Sequence, residues 1–138
     1  LSAERRAGLD DLSTYAAFAQ EVKRIKFDLL RFVLDARNDK RRIAAYGAAA
    51  KGNTLLNYCG IGRDFIDFVV DRNPVKQGSF LPGTRIPVLA PEALAEQRPD
   101  YLLILPWNLR DEVIAQNAHI RTWGGRFVLP IPQLEIVP

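Results

Sequence analysis

From residue 42 onward the apolar residues come in short, nearly unbroken runs: Ile43-Ala44-Ala45-Tyr46-Gly47, Phe65 to Val70, Ile86 to Leu89, Tyr101-Leu102-Leu103-Ile104-Leu105, and Arg126-Phe127-Val128-Leu129. A strand that is apolar at almost every position presents side chains to both sides of the pleat, so both faces of its sheet must be covered. The intervening segments read as helices: Asn53 to Cys59, stopped by Gly60, then Pro91 to about Glu96, and about Arg110 to Asn117. Strands and helices alternating at this spacing predict an α/β domain whose mainly parallel sheet carries helices on both sides. Ile86 to Leu89 is expected to be a short strand or an edge segment, because Pro87 has no N–H to give to a ladder.

Upstream the period is different. Tyr15, Phe18, Val22, Ile25, Leu29, Phe32 and Ala36 recur at steps of three and four, which places them on one stripe of a long helix. Asp10, Asp11 and Ser13 are the candidates to cap its start, and Asn38-Asp39 with the Lys40-Arg41-Arg42 run marks its end. Arg24 with Asp28, and Arg31 with Asp35, lie four apart and are expected to pair on the wet face. The heptad phase is too short to favour a coiled coil, so the stripe is expected to dock on the domain's own sheet or on a neighbour. The division expected is a helix over 1–41 leading from an upstream domain, followed by the α/β domain over 42–138.

Composition excludes several classes. With 138 residues, 48% hydrophobic and 25% charged, the chain suits one globular domain. The net charge of +3 originates in residues 1–42, where ten Lys/Arg face seven Asp/Glu. Those bases alternate with acids along a helix, so a solvated face is expected there and no nucleic-acid partner. Cys59 is the only cysteine and His119 the only histidine, which excludes an internal disulfide and a zinc cluster. Cys59 is read as a small core residue with no base near it in sequence, and His119 as structural. There is no run of about 18 apolar residues and no signal-like start in Leu1-Ser2-Ala3-Glu4-Arg5-Arg6, so a cytoplasmic protein without a membrane partner is expected. The absence of any methionine suggests a piece of a longer protein.

In an open parallel sheet, ligands bind beyond the carboxyl ends of the strands, near the point where strand order reverses. That rule selects three loops. In the first, Gly47 lets the chain turn tightly, while Ala48, Ala49 and Ala50 leave the backbone uncovered and a helix N-terminus offers unpaired amides to an anion. Lys51 adds a cation, Gly52 follows, and Asn53 and Thr54 can cap the helix or bond a phosphate oxygen. The alternative is a tight strand-to-helix connection whose small residues serve packing only. Asn57, one turn further, can project to the same site or face solvent.

The second loop begins at Asp71, which can bind a sugar hydroxyl or cap the turn before Asn73-Pro74. In the third, Trp107 can stack on a base or sugar or lie in the core, and Asn108 can hydrogen-bond a ligand or cap a helix. Tyr46 ends the first strand beside the cradle as a lining candidate. A G-x-x-x-x-G-K-[ST] phosphate loop is excluded, because Lys51 precedes the second glycine. The G-x-G-x-x-G dinucleotide fingerprint matches at Gly47 and Gly52 but has Ala49 in the middle, with Asp71 nineteen residues on. An NAD-binding module and a ligand-free structural domain are therefore the alternatives to a nucleotide-diphosphate site. No H-E-x-x-H or G-x-S-x-G motif, metal-spaced carboxylate pair or Cys/His pair is present, so the chain reads as a binding module.

The run from Tyr46-Gly47-Ala48-Ala49-Ala50-Lys51-Gly52-Asn53-Thr54 to Ile61 resembles the C-terminal domain of SAM-dependent sugar C-methyltransferases. The segments Val70-Asp71-Arg72-Asn73-Pro74-Val75-Lys76-Gln77-Gly78, Pro82 to Val88, and Leu103 to Leu109 support the likeness in the same order. The resemblance implies a Rossmann-like three-layer sandwich preceded by a long helix. It also implies a three-part protein with an N-terminal zinc-binding region and a central S-adenosylmethionine domain that holds the catalytic residues, both outside this chain. The domain described here would complete the site for a nucleotide-linked keto-deoxysugar, facing that upstream domain. Residues 47–57 and Trp107-Asn108 would lie near the diphosphate and nucleoside. No catalytic residue carries over, no cofactor is expected in this piece, and it is expected to be inactive alone.

Overall fold

The computed structural model describes the backbone of residues 2–138 and the side chains of residues 16–138. Its strands are β1 (Ile43–Tyr46), β2 (Val69–Val70), β3 (Val88–Leu89), β4 (Tyr101–Ile104), β5 (Arg126–Leu129) and β6 (Glu135–Val137). They form one sheet in the order β3-β2-β1-β4-β5-β6. The first five run parallel and β6 is antiparallel to β5. This is the Rossmann-like arrangement that the apolar runs and the resemblance lead one to expect. Ala45 lies between Val69 and Leu103 in the central register.

Alternate residues feed two cores. Ile43, Ala45, Val69, Leu103 and Val128 pack on one face beneath helices α1 (Ser2–Asn38) and α2 (Ala50–Cys59). Ala44, Tyr46, Val70, Leu102, Ile104 and Phe127 pack on the other with α3 (Ala93–Gln97) and α4 (Arg110–Gln116). Covering both sides is what uninterrupted apolar strands require.

Three local expectations are corrected. The second strand is short, because the amides of Phe65 and Ile66 both turn back to the Gly62 carbonyl, each at 3.1 Å. The chain joins β1 only from Asp67, whose amide donates to the Ile43 carbonyl at 3.0 Å. Helix α2 begins at Ala50, three residues before the expected Asn53. The last strand is β6, which short-range pattern does not reveal because Glu135 and Ile136 are both exposed. Arg110 at the start of α4 clips it in place through a bidentate pair with Glu135 at 2.6 and 3.1 Å.

Helix α1 starts at Ser2, so Asp10, Asp11 and Ser13 lie inside it and do not cap it; their side chains, and that of Tyr15, lie outside the described residues. Its stripe is buried at Ile25, Leu29, Phe32 and Ala36, whereas Phe18 is 66% exposed, so the sheet covers the stripe only from about Ile25. Arg24 pairs with Glu21 and not Asp28, and no Arg31–Asp35 pair forms among the described residues. The helix closes on Lys40 in the left-handed region (φ 57°), with the Arg41 amide donating to Ala36 at 2.8 Å and Lys40 to Arg37 at 3.0 Å. Among the described residues no helix is long and apolar enough to cross a membrane.

Gly52 sets the distance between α2 and the sheet. A Cβ there would stand 2.6 Å from the Leu105 Cβ. Gly52→Ala is therefore expected to destabilise the fold by about 1–3 kcal/mol through overpacking, despite alanine's better helix propensity. Urea unfolding reads the effect, and a stabilised variant would refute the close contact.

Candidate functional site

The chain leaves β1 toward β2 and β3, then returns to the other side of β1 as β4, so strand order reverses between β1 and β4. The loops after these two strands meet at that point. Gly47 holds a positive φ of 95°, and a Cβ there would lie 2.6 Å from Pro106 Cδ. Only glycine meets both conditions.

Ala49 is the residue before α2, extended at φ −97° and ψ 155°, with no side chain capping the helix. The amides of Ala49, Ala50, Lys51 and Gly52 have no acceptor among the described residues. These are the free donors of a helix N-terminus, where partial positive charge also collects. The Ala48 amide is different, because it donates to Asp71 Oδ2 at 2.8 Å.

Asn53 and Thr54 do not cap α2. The Asn53 amide already donates to the Ala49 carbonyl at 3.0 Å, and the Thr54 hydroxyl donates back to the Ala50 carbonyl at 3.0 Å. Asn57 is exposed, and its side chain is engaged away from the free amides. Its amide group donates to the Pro82 carbonyl at 3.1 Å and the Asn53 carbonyl at 2.9 Å, holding the turn at Gly83.

Lys51 reaches across to the loop after β4. Its ammonium bonds the Asn108 side-chain carbonyl and stands 4.7 Å from the centre of the Trp107 ring. Trp107 is half-buried, with one side packed against the α3 and α4 core and a ring face toward Lys51. Asn108 is exposed in a 3-10 turn and does not cap α4.

Asp71 ends β2 with both oxygens engaged. Oδ1 accepts the Asn73 amide at 2.8 Å and Oδ2 the Ala48 amide, so it shapes two loops at once. Lys76 is the residue that sequence reasoning did not single out: its half-buried ammonium donates to the Ala48 carbonyl at 3.0 Å. No local spacing announces a contact across 28 residues of chain; the only hint was its place in the Val70 to Gly78 segment.

Tyr46 is buried and donates to Gln116 at 3.3 Å. Burial pushes its phenol pKa up, Arg72 opposes this, and Asp71 and Glu112 add to it, so it stays a neutral donor near neutral pH. Cys59 is buried, and desolvation raises its thiol pKa against a smaller opposing effect of Lys26. His119 is exposed and stacks edge-on against Trp123, 5.7 Å between ring centres, outside the site. Among the described residues no group of three His, Cys, Asp or Glu could hold a metal ion.

Two sizeable cavities lie elsewhere. One of about 440 Å³ beside α1 is lined by Asp28, Asp35 and Asp39 with Arg31, and by Phe32 and Tyr101. Another of about 490 Å³ surrounds Phe80 and the Pro82–Gly83 turn, with Arg63 and Arg85 in its wall. Neither includes a residue of the three loops, and the acidic excess of the first disfavours an anion. The second offers two guanidinium groups away from the strand ends, whereas the strand-end site combines free main-chain amides with ammonium groups at the reversal of strand order, an arrangement suited to a negatively charged ligand.

The family described as the C-methyltransferase C-terminal domain matches residues 1–132. The C-methyltransferase NovU of Streptomyces niveus is 39% identical over 137 residues, covering 99% of this chain. The chain spans about a third of that relative's length, 33%. Among solved structures, UDP-D-quinovosamine 4-dehydrogenase from Vibrio fischeri aligns with a TM-score of 0.52 at 17% identity, covering 71% of this chain and 93% of that one. At that identity the likeness is one of fold.

Lys51→Met removes the cation above the Trp107 ring. In a Trp123→Phe background the emission of Trp107 is expected to shift on this substitution, and unchanged emission would place the ammonium elsewhere. Cys59 is expected to resist thiol reagents in the native protein and to react fully on unfolding; rapid native labelling would contradict its burial.

Proposed function

The chain belongs to the family of C-methyltransferase C-terminal domains, and on that premise we propose that it is the substrate-side domain of a SAM-dependent enzyme acting on a nucleotide-linked keto-deoxysugar. The observation that carries this reading is the convergence at the β1/β4 switch point. Four unpaired amides, from Ala49 to Gly52, open α2 after β1, and from the same turn the Lys51 side chain reaches Asn108 and a face of the Trp107 ring after β4. A diphosphate suits the amides and the cation, and Trp107 with Asn108 suits the attached nucleoside or sugar. Asn53 and Thr54 stand one turn further along the helix, where hydroxyl and amide groups can meet the ligand's edge.

S-adenosylmethionine fits this site poorly. Its sulfonium cation would meet a helix N-terminus and the Lys51 and Lys76 ammonium groups, all of like sign. The cofactor and the catalytic groups are therefore assigned to the part of the protein outside this chain, and residues 1–138 alone are expected to transfer no methyl group. An NAD-binding role draws support from fold likeness only, and Asp71, the acid the fingerprint would offer to a ribose, already holds two main-chain amides.

Calorimetry with dTDP, UDP, a dTDP-sugar and NADH tests the proposal. Binding of the sugar nucleotides is expected to weaken with salt and to fall about tenfold, roughly 1.4 kcal/mol, in Lys51→Ala. Failure of the full-length protein to bind any of them, or tighter binding of NADH, would overturn it.

A further inference from the structure

We propose that Asp71 and Lys76 are a pair of positioning residues that hold the anion cradle in its binding shape before any ligand arrives, with neither making the recognition contact itself. This rests on the reading of the cradle as a diphosphate site. Ala48 is held through the two peptide units that flank its Cα: the N–H of the Gly47–Ala48 peptide donates to Asp71 Oδ2 at 2.8 Å, and the carbonyl of the Ala48–Ala49 peptide accepts from Lys76 Nζ at 3.0 Å. These two peptides lead from Gly47, where the chain turns out of β1, to Ala49, the first residue with a free amide. Because the trans peptide is planar, the carbonyl held by Lys76 also sets the direction of the Ala49 N–H, and the two contacts together fix how the start of α2 leaves the turn. The grip is itself anchored. Asp71 Oδ1 accepts the Asn73 amide, the Asn73 side chain accepts the Val75 amide at 3.0 Å, and Gln77 donates to the Asp71 carbonyl at 2.8 Å. Segment 71–77 is thus a bracket built around one residue, Ala48, of the neighbouring loop.

Charge supplies the second part of the inference. A carboxylate one residue from an anion site repels the ligand unless a cation compensates it. Lys76 brings an ammonium to the same residue, on the next peptide, so the bracket adds geometry without adding net negative charge. A donor set pre-aimed in this way loses less on binding than one that must be ordered by its ligand. The two residues should therefore matter for every ligand that uses the cradle's amides, whatever is attached to the phosphates.

Two measurements separate this from the alternatives. First, amide hydrogen exchange in the ligand-free protein reads the bracket directly. Asp71→Ala and Lys76→Met are expected to lose about tenfold or more of the protection at Ala48, while strands β1 and β4 keep theirs and Lys51→Ala has no such effect. Second, affinities for dTDP and for inorganic pyrophosphate are compared. Positioning predicts that Asp71→Ala and Lys76→Met weaken both by the same factor, about five- to tenfold, and that Lys76→Arg restores most of the loss. Should Asp71→Ala weaken dTDP alone, Asp71 contacts the nucleoside and the positioning role is refuted. Unchanged Ala48 exchange refutes it as well, as does a uniform loss of protection across the sheet, which would mark a general structural role. If the wild-type chain and the full-length protein bind neither probe, the diphosphate reading fails while the exchange result still decides the bracket.

Discussion

The approach of α2 to β4 at Gly52 is the contact on which the candidate site depends. Leu105 occupies the space in which any side chain at position 52 would sit, so the helix lies against the sheet at a distance that glycine alone permits. That closeness carries the first turn of α2 into the crevice beside Pro106, Trp107 and Asn108, within reach of Lys51. A few residues back, Gly47 performs a related task. Its left-handed backbone lets the chain leave β1 and pass directly over Pro106. In a dinucleotide fingerprint the last glycine has this packing role, and here it is retained although the middle glycine is replaced by Ala49.

The same economy of small residues explains the chemistry on offer. Three alanines after Gly47 leave main-chain amides as the principal donors, and no side chain caps α2. An uncapped N-terminus exposed beside a lysine offers donors held only by water together with two sources of positive charge, which is why anions settle at such places. In the ligand-free chain Lys51 rests on Asn108 and the Trp107 ring. Phosphate oxygens would compete with those two neutral partners for the ammonium and, being charged, would hold it more strongly.

At the opposite end of the strands, the basic residues that end α1 have a structural use. Arg42 donates from its backbone to Asp100 at 2.7 Å and from its side chain to Asp67 at 3.1 Å and to the Gln97 carbonyl at 2.8 Å. It therefore ties the start of β1 to the approaches of β2 and β4. Arg37 donates to the Asp64 carbonyl at 2.7 Å, fastening α1 to the turn ahead of β2. The positive excess of the first 42 residues thus contributes fastening groups among acids and carbonyls, in keeping with its alternation with Asp and Glu along the sequence.

Much of the fold was legible in the residues themselves. Apolar runs such as Tyr101 to Leu105 declare a strand covered on both faces, and three- and four-residue steps from Val22 to Ala36 declare a helix, because both signals lie in the order of neighbouring residues along the chain. That Gly47, Lys51 and Trp107 lie at neighbouring strand ends was likewise legible, because a parallel sheet brings the loops after β1 and β4 together where strand order reverses. What sequence did not disclose depends on separations that have no local signature. Arg110 meets Glu135 on β6, Gly52 meets Leu105 beyond β4, and Lys76 acts on a carbonyl 28 positions away. Asp71 shows the division most clearly: its residue type and strand-end position made it a candidate, but whether its carboxylate faced a ligand or the Ala48 amide was decided by how two loops from different strands came to lie together. Periodicity is a property of the chain, whereas the partner of a side chain is a property of the packed molecule.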